Sequence, residues 1–161
     1  VTRLVRNAVP ADAARLLDLI RQHAAFEGAS ATLDEDDIVF VLHQADPPIR
    51  LIVAEEHGAL SGYAAFTFDY ALWSASRFAY LDCLFVRADA RGRGVGKRLF
   101  DHACHLSDGA GVHRIEWQTP AWNADAIRFY EREGAAGQSK MRFTKIISTT
   151  LATGQGPDSP I

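Results

Sequence analysis

Apolar positions recur along the chain with two different periods. Ala13, Leu16, Leu17, Ile20 and Ala24 fall three and four apart, the spacing of one helix face. Pro10 suits the first turn of that helix, and Gly28 after Glu27 suits its end. Thr32-Leu33-Asp34-Glu35 has the form of a capping box and predicts a second helix through about Gln44, closed by Asp46-Pro47-Pro48. Runs rich in branched and aromatic residues predict strands at 2–7, 50–55, 59–68, 80–86, 113–118 and 139–147. The second and third of these make an antiparallel hairpin around His57-Gly58, and 69–76, with Tyr70 and Trp73, is a loop. Val95, Leu99, Ala103 and Leu106 share a face of a third helix that ends near Asp108-Gly109. Asn123 caps a fourth, which turns Ala126, Ile127 and Tyr130 inward and stops at Gly134. The order β-α-α-β-β-β-α-β-α-β predicts an α/β (mixed α+β) fold, one mixed sheet with helices on both faces.

Composition narrows the class. With 161 residues and 48% hydrophobic content, the chain is long enough for one domain with a proper core, placed at 1–150. The stretch 151–161, rich in Gly, Pro and Ser, reads as a flexible tail. A net charge of -3 argues against a nucleic-acid-binding module. No run has the length of a membrane span, and the N-terminus lacks a signal-peptide pattern. Cys83 and Cys104 are too few for a disulfide scaffold and fit a reducing cytoplasm. His102 and His105 beside Asp101 lack a metal-site pattern, so no metal is expected.

The chemistry centres on 80–100. There a strand-like run ends in Leu84-Phe85-Val86, followed by Arg91-Gly92-Arg93-Gly94-Val95-Gly96-Lys97 and then the third helix. A helix start leaves main-chain N–H groups without partners and carries partial positive charge, so it attracts an anion. Glycines let the main chain approach a bulky phosphate, and Arg91, Arg93, Lys97 and Arg98 add charge. Gly96-Lys97 is followed by Arg98, which excludes the P-loop form, and glycines spaced by two do not match the dinucleotide fingerprint.

What fits is Arg-x-x-Gly-x-Gly after a strand ending in Phe-Val, and here the chain resembles the GNAT superfamily of N-acetyltransferases. The run from Asn123 through Ala126 to Phe129-Tyr130 resembles the family's second signature. The resemblance implies a central, mostly antiparallel mixed sheet of about six or seven strands, with acetyl-CoA as co-substrate. It implies that main-chain amides of Leu84, Phe85 and Val86 align the pantetheine arm. Those of Gly92, Arg93, Gly94, Val95, Gly96 and Lys97, with Arg91, would hold the pyrophosphate. Asn123 and Ala126 would bind the coenzyme, and Tyr130 would protonate the departing sulfur. Read on the residues alone, Asn123 is also an ordinary helix cap and Tyr130 also a core tyrosine.

Within the superfamily the chain is similar, over about 4–136, to the diamine (spermidine/spermine and thialysine type) acetyltransferases. Phe26-Glu27, Tyr80-Leu81-Asp82-Cys83-Leu84-Phe85-Val86 and Trp122-Asn123 carry that similarity. Asp82 stands where the family has a glutamate that binds or deprotonates the amine, Cys83 replaces the next acid, and Phe26 replaces a tyrosine. An alkylammonium must be held by charge and then lose a proton before it attacks a thioester, which gives Asp82 and Glu27 their roles. An aspartate in an apolar strand is costly unless partnered, either by substrate or by an arginine. Regular alternation puts Asp82 with Tyr80 and Leu84 on one face and Cys83 on the other, unless a bulge intervenes. The expected acceptor is a small primary amine and the expected assembly a homodimer. A protein N-terminus or lysine as acceptor, or a non-catalytic acyl-CoA-binding domain, are the alternatives.

Overall fold

The structure is a computed structural model, and residues 3–147 are described. The expected tail at 151–161 lies outside them. The chain divides into two compact units, Val1–Thr119 and Pro120–Ile161.

The first unit holds one five-stranded sheet in the order β1-β2-β3-β4-β5. Its strands are β1 (Arg3–Asn7), β2 (Arg50–Glu56), β3 (Ala59–Ala71), β4 (Ser76–Val86) and β5 (Ile115–Trp117). The first four pair antiparallel; β4 and β5 pair parallel, so the sheet is mixed as expected. Three helices belong to this unit: α1 (Ala13–Phe26), α2 (Glu35–Leu42) and α3 (Val95–Gly109). Val53, Tyr63, Ala65 and Phe85 pack with Leu16, Leu17 and Leu19 of α1 and Ile38 of α2. Side chains of a strand alternate between faces, so Ile52, Gly62 and Ala64 turn the other way, toward Leu99 of α3. Complete burial of a side chain such as Leu16 or Leu99, both 0% exposed, stabilises the fold by ~1.5–3 kcal/mol. No helix among the described residues is long and apolar enough to cross a membrane.

Several boundaries differ from expectation. The second helix is capped by Asp34 and not by Thr32. Asp34 Oδ1 accepts the Asp37 N–H at 3.0 Å, and Asp37 Oδ2 accepts the Asp34 N–H at 3.0 Å, so the reciprocal box begins two residues later. The loop expected at 69–76 is half strand. Pairing of Asp69 with Phe78 and Ala71 with Ser76 extends the β3–β4 hairpin to a short 3-10 turn at Leu72–Ser74. Its tip is open to solvent, with Leu72 81% and Trp73 103% exposed.

The second unit holds α4 (Ala124–Arg132). The strand expected at 139–147 does not form: the residues have no regular structure, and Met141, Phe143, Ile146 and Ile147 are exposed. Branched and aromatic residues give such a run strand propensity, but a run without a partner strand has no ladder to join. Among the described residues the sheet therefore has five strands, fewer than the six or seven expected.

Candidate functional site

The feature that shapes the site is a break in the register of β4. Leu81 pairs with Phe66 and Cys83 with Ala65, so Asp82 is an extra residue with no partner on β3. This is a β-bulge, and it changes the parity of the strand. Upstream, Tyr80 opposite Thr67 lies on the α1 side; downstream, Cys83 and Phe85, opposite Ala65 and Tyr63, lie on that side too. Asp82 and Cys83 therefore face the same way, with the Cys83 thiol donating to Asp82 Oδ2 at 3.5 Å. Leu84, opposite Ala64, goes to the other face, so the regular alternation expected at 80–84 does not hold.

A second consequence concerns the edge of β4. Strand β5 pairs with it only at Ala79, Tyr80 and Leu81. Among the described residues no strand pairs with the outer edge of β4 from Asp82 to Val86, where Leu84, Phe85 and Val86 lie. Their inner edge is bonded to β3. An unpaired strand edge carries main-chain donors and acceptors that an extended ligand can use.

After β4 the chain makes a 3-10 turn at Ala88–Ala90, then the glycine segment. Gly92 and Gly94 have φ of 71° and 74°, in the left-handed region that favours glycine. Gly96 lies within α3 and has no such demand. Gly94 is the N-cap of α3 and offers no side chain, and the first bond of the helix runs from the Arg98 N–H to Gly94 O at 3.1 Å. The start of this 15-residue helix thus presents its main chain, and a Cβ at Gly92 would meet nothing within 4 Å. That arrangement suits a pyrophosphate.

The cations of the segment are arranged less simply than their sequence suggests. Arg93 and Arg98 both approach Glu56, at 3.6 and 3.5 Å, and Glu56 is only 9% exposed. Lys97 reaches Asp101 at 3.0 Å. Arg91 donates to Val86 O, and its guanidinium lies 4.9 Å from the Phe26 ring and 5.7 Å from Phe85. Arg91 therefore leans over the end of α1, beside Phe26 and Glu27.

Around Glu27 lies a group that sequence reasoning missed. His23, one helical turn earlier, has Nε2 at 3.4 Å from Glu27 Oε1 and Nδ1 at 2.9 Å from the Tyr63 hydroxyl. Its ring stacks on Phe85, with centroids 5.0 Å apart. Burial pushes His23 below the usual imidazole range, against Glu27, which acts to raise it. Tyr63 also engages the Cys83 thiol. Burial and the neighbouring Asp82 push that thiol up to about 12, which rules out a thiolate nucleophile at neutral pH. The i, i+4 spacing of His23 and Glu27 was a signal available in the sequence; the approach of Tyr63 was not.

In the second unit, Asn123 caps α4 as expected, its Oδ1 accepting the Ala126 N–H at 3.2 Å. Tyr130 lies two turns further along, half-buried, with its ring 5.1 Å from that of Phe129.

A mixed sheet whose β4 edge is left unpaired beside a glycine-capped helix start offers a place for an extended, anionic ligand. Residues 14–135 match the acetyltransferase (GNAT) family, and the chain belongs to it. The protein is accordingly an N-acetyltransferase, of a family that uses acetyl-CoA as co-substrate.

Among relatives, the thialysine N-ε-acetyltransferase of Sus scrofa is 25% identical over 142 residues, covering 82% of this chain and 83% of that one. The L-ornithine N5-acetyltransferase of Arabidopsis thaliana is 30% identical over 92 residues, 57% of this chain but 40% of the relative's own length. Among solved structures, an aminoglycoside acetyltransferase from an uncultured soil metagenomic sample superposes with a TM-score of 0.77 at 18% identity. That match covers 91% of this chain and 97% of the other.

Proposed function

We propose that the protein transfers the acetyl group of acetyl-CoA to a primary amine of a small molecule, a diamine or an amino-acid-like side chain, by direct attack. Acetyl-CoA supplies the acetyl group as a thioester. Leu84, Phe85 and Val86 align the pantetheine arm through their main chain, and Gly92, Arg93, Gly94, Val95, Gly96 and Lys97 hold the pyrophosphate. Phe26 and Glu27 line the acceptor side. Asp82 takes the proton of the ammonium, leaving a free amine lone pair for the carbonyl carbon. Asn123 and Ala126 bind the coenzyme, and Tyr130 gives a proton to the departing sulfur.

The observation that carries this reading is the bulge, which turns Asp82 to the α1 side of the sheet, where Glu27 ends the helix. Two carboxylates beside an apolar wall suit an alkylammonium. Thialysine and ornithine, the acceptors named for relatives, are of this kind.

A thiol-release assay over a panel of diamines, amino acids and peptides tests it. Turnover with small amines is expected, and turnover confined to peptides overturns the acceptor class. Peptides are the second reading because the exposed Tyr70, Leu72 and Trp73 at the hairpin tip offer a surface for a chain. Tyr130→Phe is expected to lower kcat with little change in acetyl-CoA affinity measured by calorimetry; unchanged kcat removes the assignment. A homodimer is the assembly the family pattern suggests, and a monomeric mass by light scattering removes it.

A further inference from the structure

Asp82 and Glu27 are the two ends of one chain of contacts. Asp82 Oδ2 meets the Cys83 thiol at 3.5 Å, the thiol meets the Tyr63 hydroxyl, the hydroxyl meets His23 Nδ1 at 2.9 Å, and His23 Nε2 meets Glu27 Oε1 at 3.4 Å. Counting protons shows what this chain can do. Ionised carboxylates only accept, so the thiol proton goes to Asp82 and the imidazole N–H, at Nε2, goes to Glu27. The hydroxyl proton is left to serve either Cys83 or His23. Thiol, hydroxyl and neutral imidazole thus bring three protons to four contacts. The neutral chain is one proton short.

We infer that the chain Asp82–Cys83–Tyr63–His23–Glu27 takes up the proton an amine substrate releases at Asp82, with His23 as its resting place. This rests on the small-amine reading of the site given above. The ammonium N–H bond breaks, its electron pair stays on nitrogen, and the proton forms an O–H bond on Asp82. All four contacts then hold a proton. Asp82 passes its proton to the sulfur, the sulfur passes its own to the Tyr63 oxygen, and the phenol passes its own to His23 Nδ1. Asp82 is again a carboxylate, and His23 is an imidazolium against Glu27. Cys83, Tyr63 and His23 act through Asp82 and are positioning residues.

The surroundings of His23 set a balance that permits this. Glu27 on α1 and Asp82 on β4 favour its charged form, while burial and Arg91 oppose it. Tyr63 on β3 and Cys83 on β4 hold their protons firmly, since burial pushes both up. They hand protons on without resting as anions. His23 is therefore neutral near pH 7 and able to receive. Below its depressed value the chain already holds its fourth proton, and activity falls.

The test follows kcat from pH 5 to 9 with 1,3-diaminopropane and acetyl-CoA for wild type, His23→Gln and Tyr63→Phe. Glutamine keeps an acceptor and a donor but takes no proton. The expected loss in kcat is about tenfold, below the ~10²–10⁴ of a general base itself because Asp82 still reaches solvent. KM for acetyl-CoA should hold, and the acid inflection of wild type should vanish in His23→Gln. Variants that bind acetyl-CoA normally and keep both wild-type kcat and the inflection overturn the inference. If wild type binds acetyl-CoA but acetylates no small amine, the acceptor reading has failed, and ¹⁵N NMR of the His23 ring decides the chain. A neutral ring with its proton on Nε2 supports the inference; a proton on Nδ1 overturns it.

Discussion

Gly62 joins the stability of the sheet to the geometry of the site, and alanine there has a calculable cost. A Cβ would lie 2.6 Å from Phe85 O, 3.1 Å from Leu99 Cδ1 and 3.3 Å from Val86 Cα. Leu99 can turn its side chain away. Phe85 O cannot, because Gly62 pairs with Val86 and Tyr63 with Phe85 in the β3–β4 ladder. An ordinary carbon-to-carbonyl contact starts near ~3.3 Å, so the strands must part by several tenths of an ångström. Overpacking costs ~1–3 kcal/mol, and forced main-chain movement belongs at the upper end. Alanine restricts the unfolded chain, which offsets ~0.4–1 kcal/mol of this. The strain wins by about 2 kcal/mol, equivalent to a fall in Tm of ~4–8 °C for a chain of this size. Thermal melts followed by circular dichroism measure it, and Leu99→Ala on the same background should not restore Tm. A Gly62→Ala protein melting at or above wild type refutes the reasoning, because β3 and β4 would then not be in contact as described.

Asp12 is 0% exposed and accepts from Arg6 at 2.6 and 2.9 Å, from Arg15 at 2.6 Å and from the Val9 N–H at 2.9 Å. Asp12→Ala is expected to cost about 3–5 kcal/mol, read from urea melts. Hydrogen bonding to Arg6, against burial, holds the Asp12 carboxyl below its usual range. Its stabilisation is therefore complete above the unfolded value of ~3.9 and is lost as pH falls through the lower folded value. Melts of wild type and Asp12→Asn from pH 2 to 6 should converge at the acid end; parallel curves would exclude the linkage. At Gly94, φ of 74° makes Gly94→Ala cost ~1–2 kcal/mol of main-chain strain, with Gly94→Asn milder; equal melts for all three proteins would deny the left-handed turn. Lys97 and Asp101 are each 55% exposed, so their pair contributes ~0–1 kcal/mol. Lys97→Ala should hold Tm while weakening acetyl-CoA binding severalfold in calorimetry. Arg98→Ala, which takes a guanidinium from the buried Glu56, should lower Tm by more than Lys97→Ala does, and the opposite ranking contradicts the assignment.

Elements that bury one regular face were legible before the structure. The α1 stripe of Ala13, Leu16 and Leu17 and the α3 stripe of Val95, Leu99 and Ala103 follow from period alone. Leu19 was not in the stripe read from sequence, yet it is 2% exposed, because α2 covers the flank of α1 as well as its face. The 139–147 run shows the opposite failure: branched and aromatic residues without a partner strand give no strand. At the site, both carboxylates were legible as residues, but their shared face was not. It depends on one residue inserted into β4 opposite Ala65 and Phe66, and no local pattern at 80–84 announces a bulge. His23 was passed over because it sits on an apolar helix stripe and its partner Tyr63 is distant in sequence.

The glycine segment shows how residue types alone misjudge which groups are available to an anion. Four cations within 91–98 suggest a site that attracts phosphate by charge. In the fold each already answers to an internal acceptor: Glu56 for Arg93 and Arg98, Asp101 for Lys97, Val86 O for Arg91. These partners differ in what they cost to leave. Lys97 is held by a half-exposed carboxylate and moves cheaply, whereas Arg93 and Arg98 are tied to a carboxylate with little access to water. The attraction that needs no rearrangement is that of the α3 start, where the left-handed Gly94 removes any side chain from the path of an anion. The start of α3 at Gly92 and Gly94 thus offers an anion a main chain that needs no rearrangement, whereas Arg93 and Arg98 fasten the turn to β2 through Glu56.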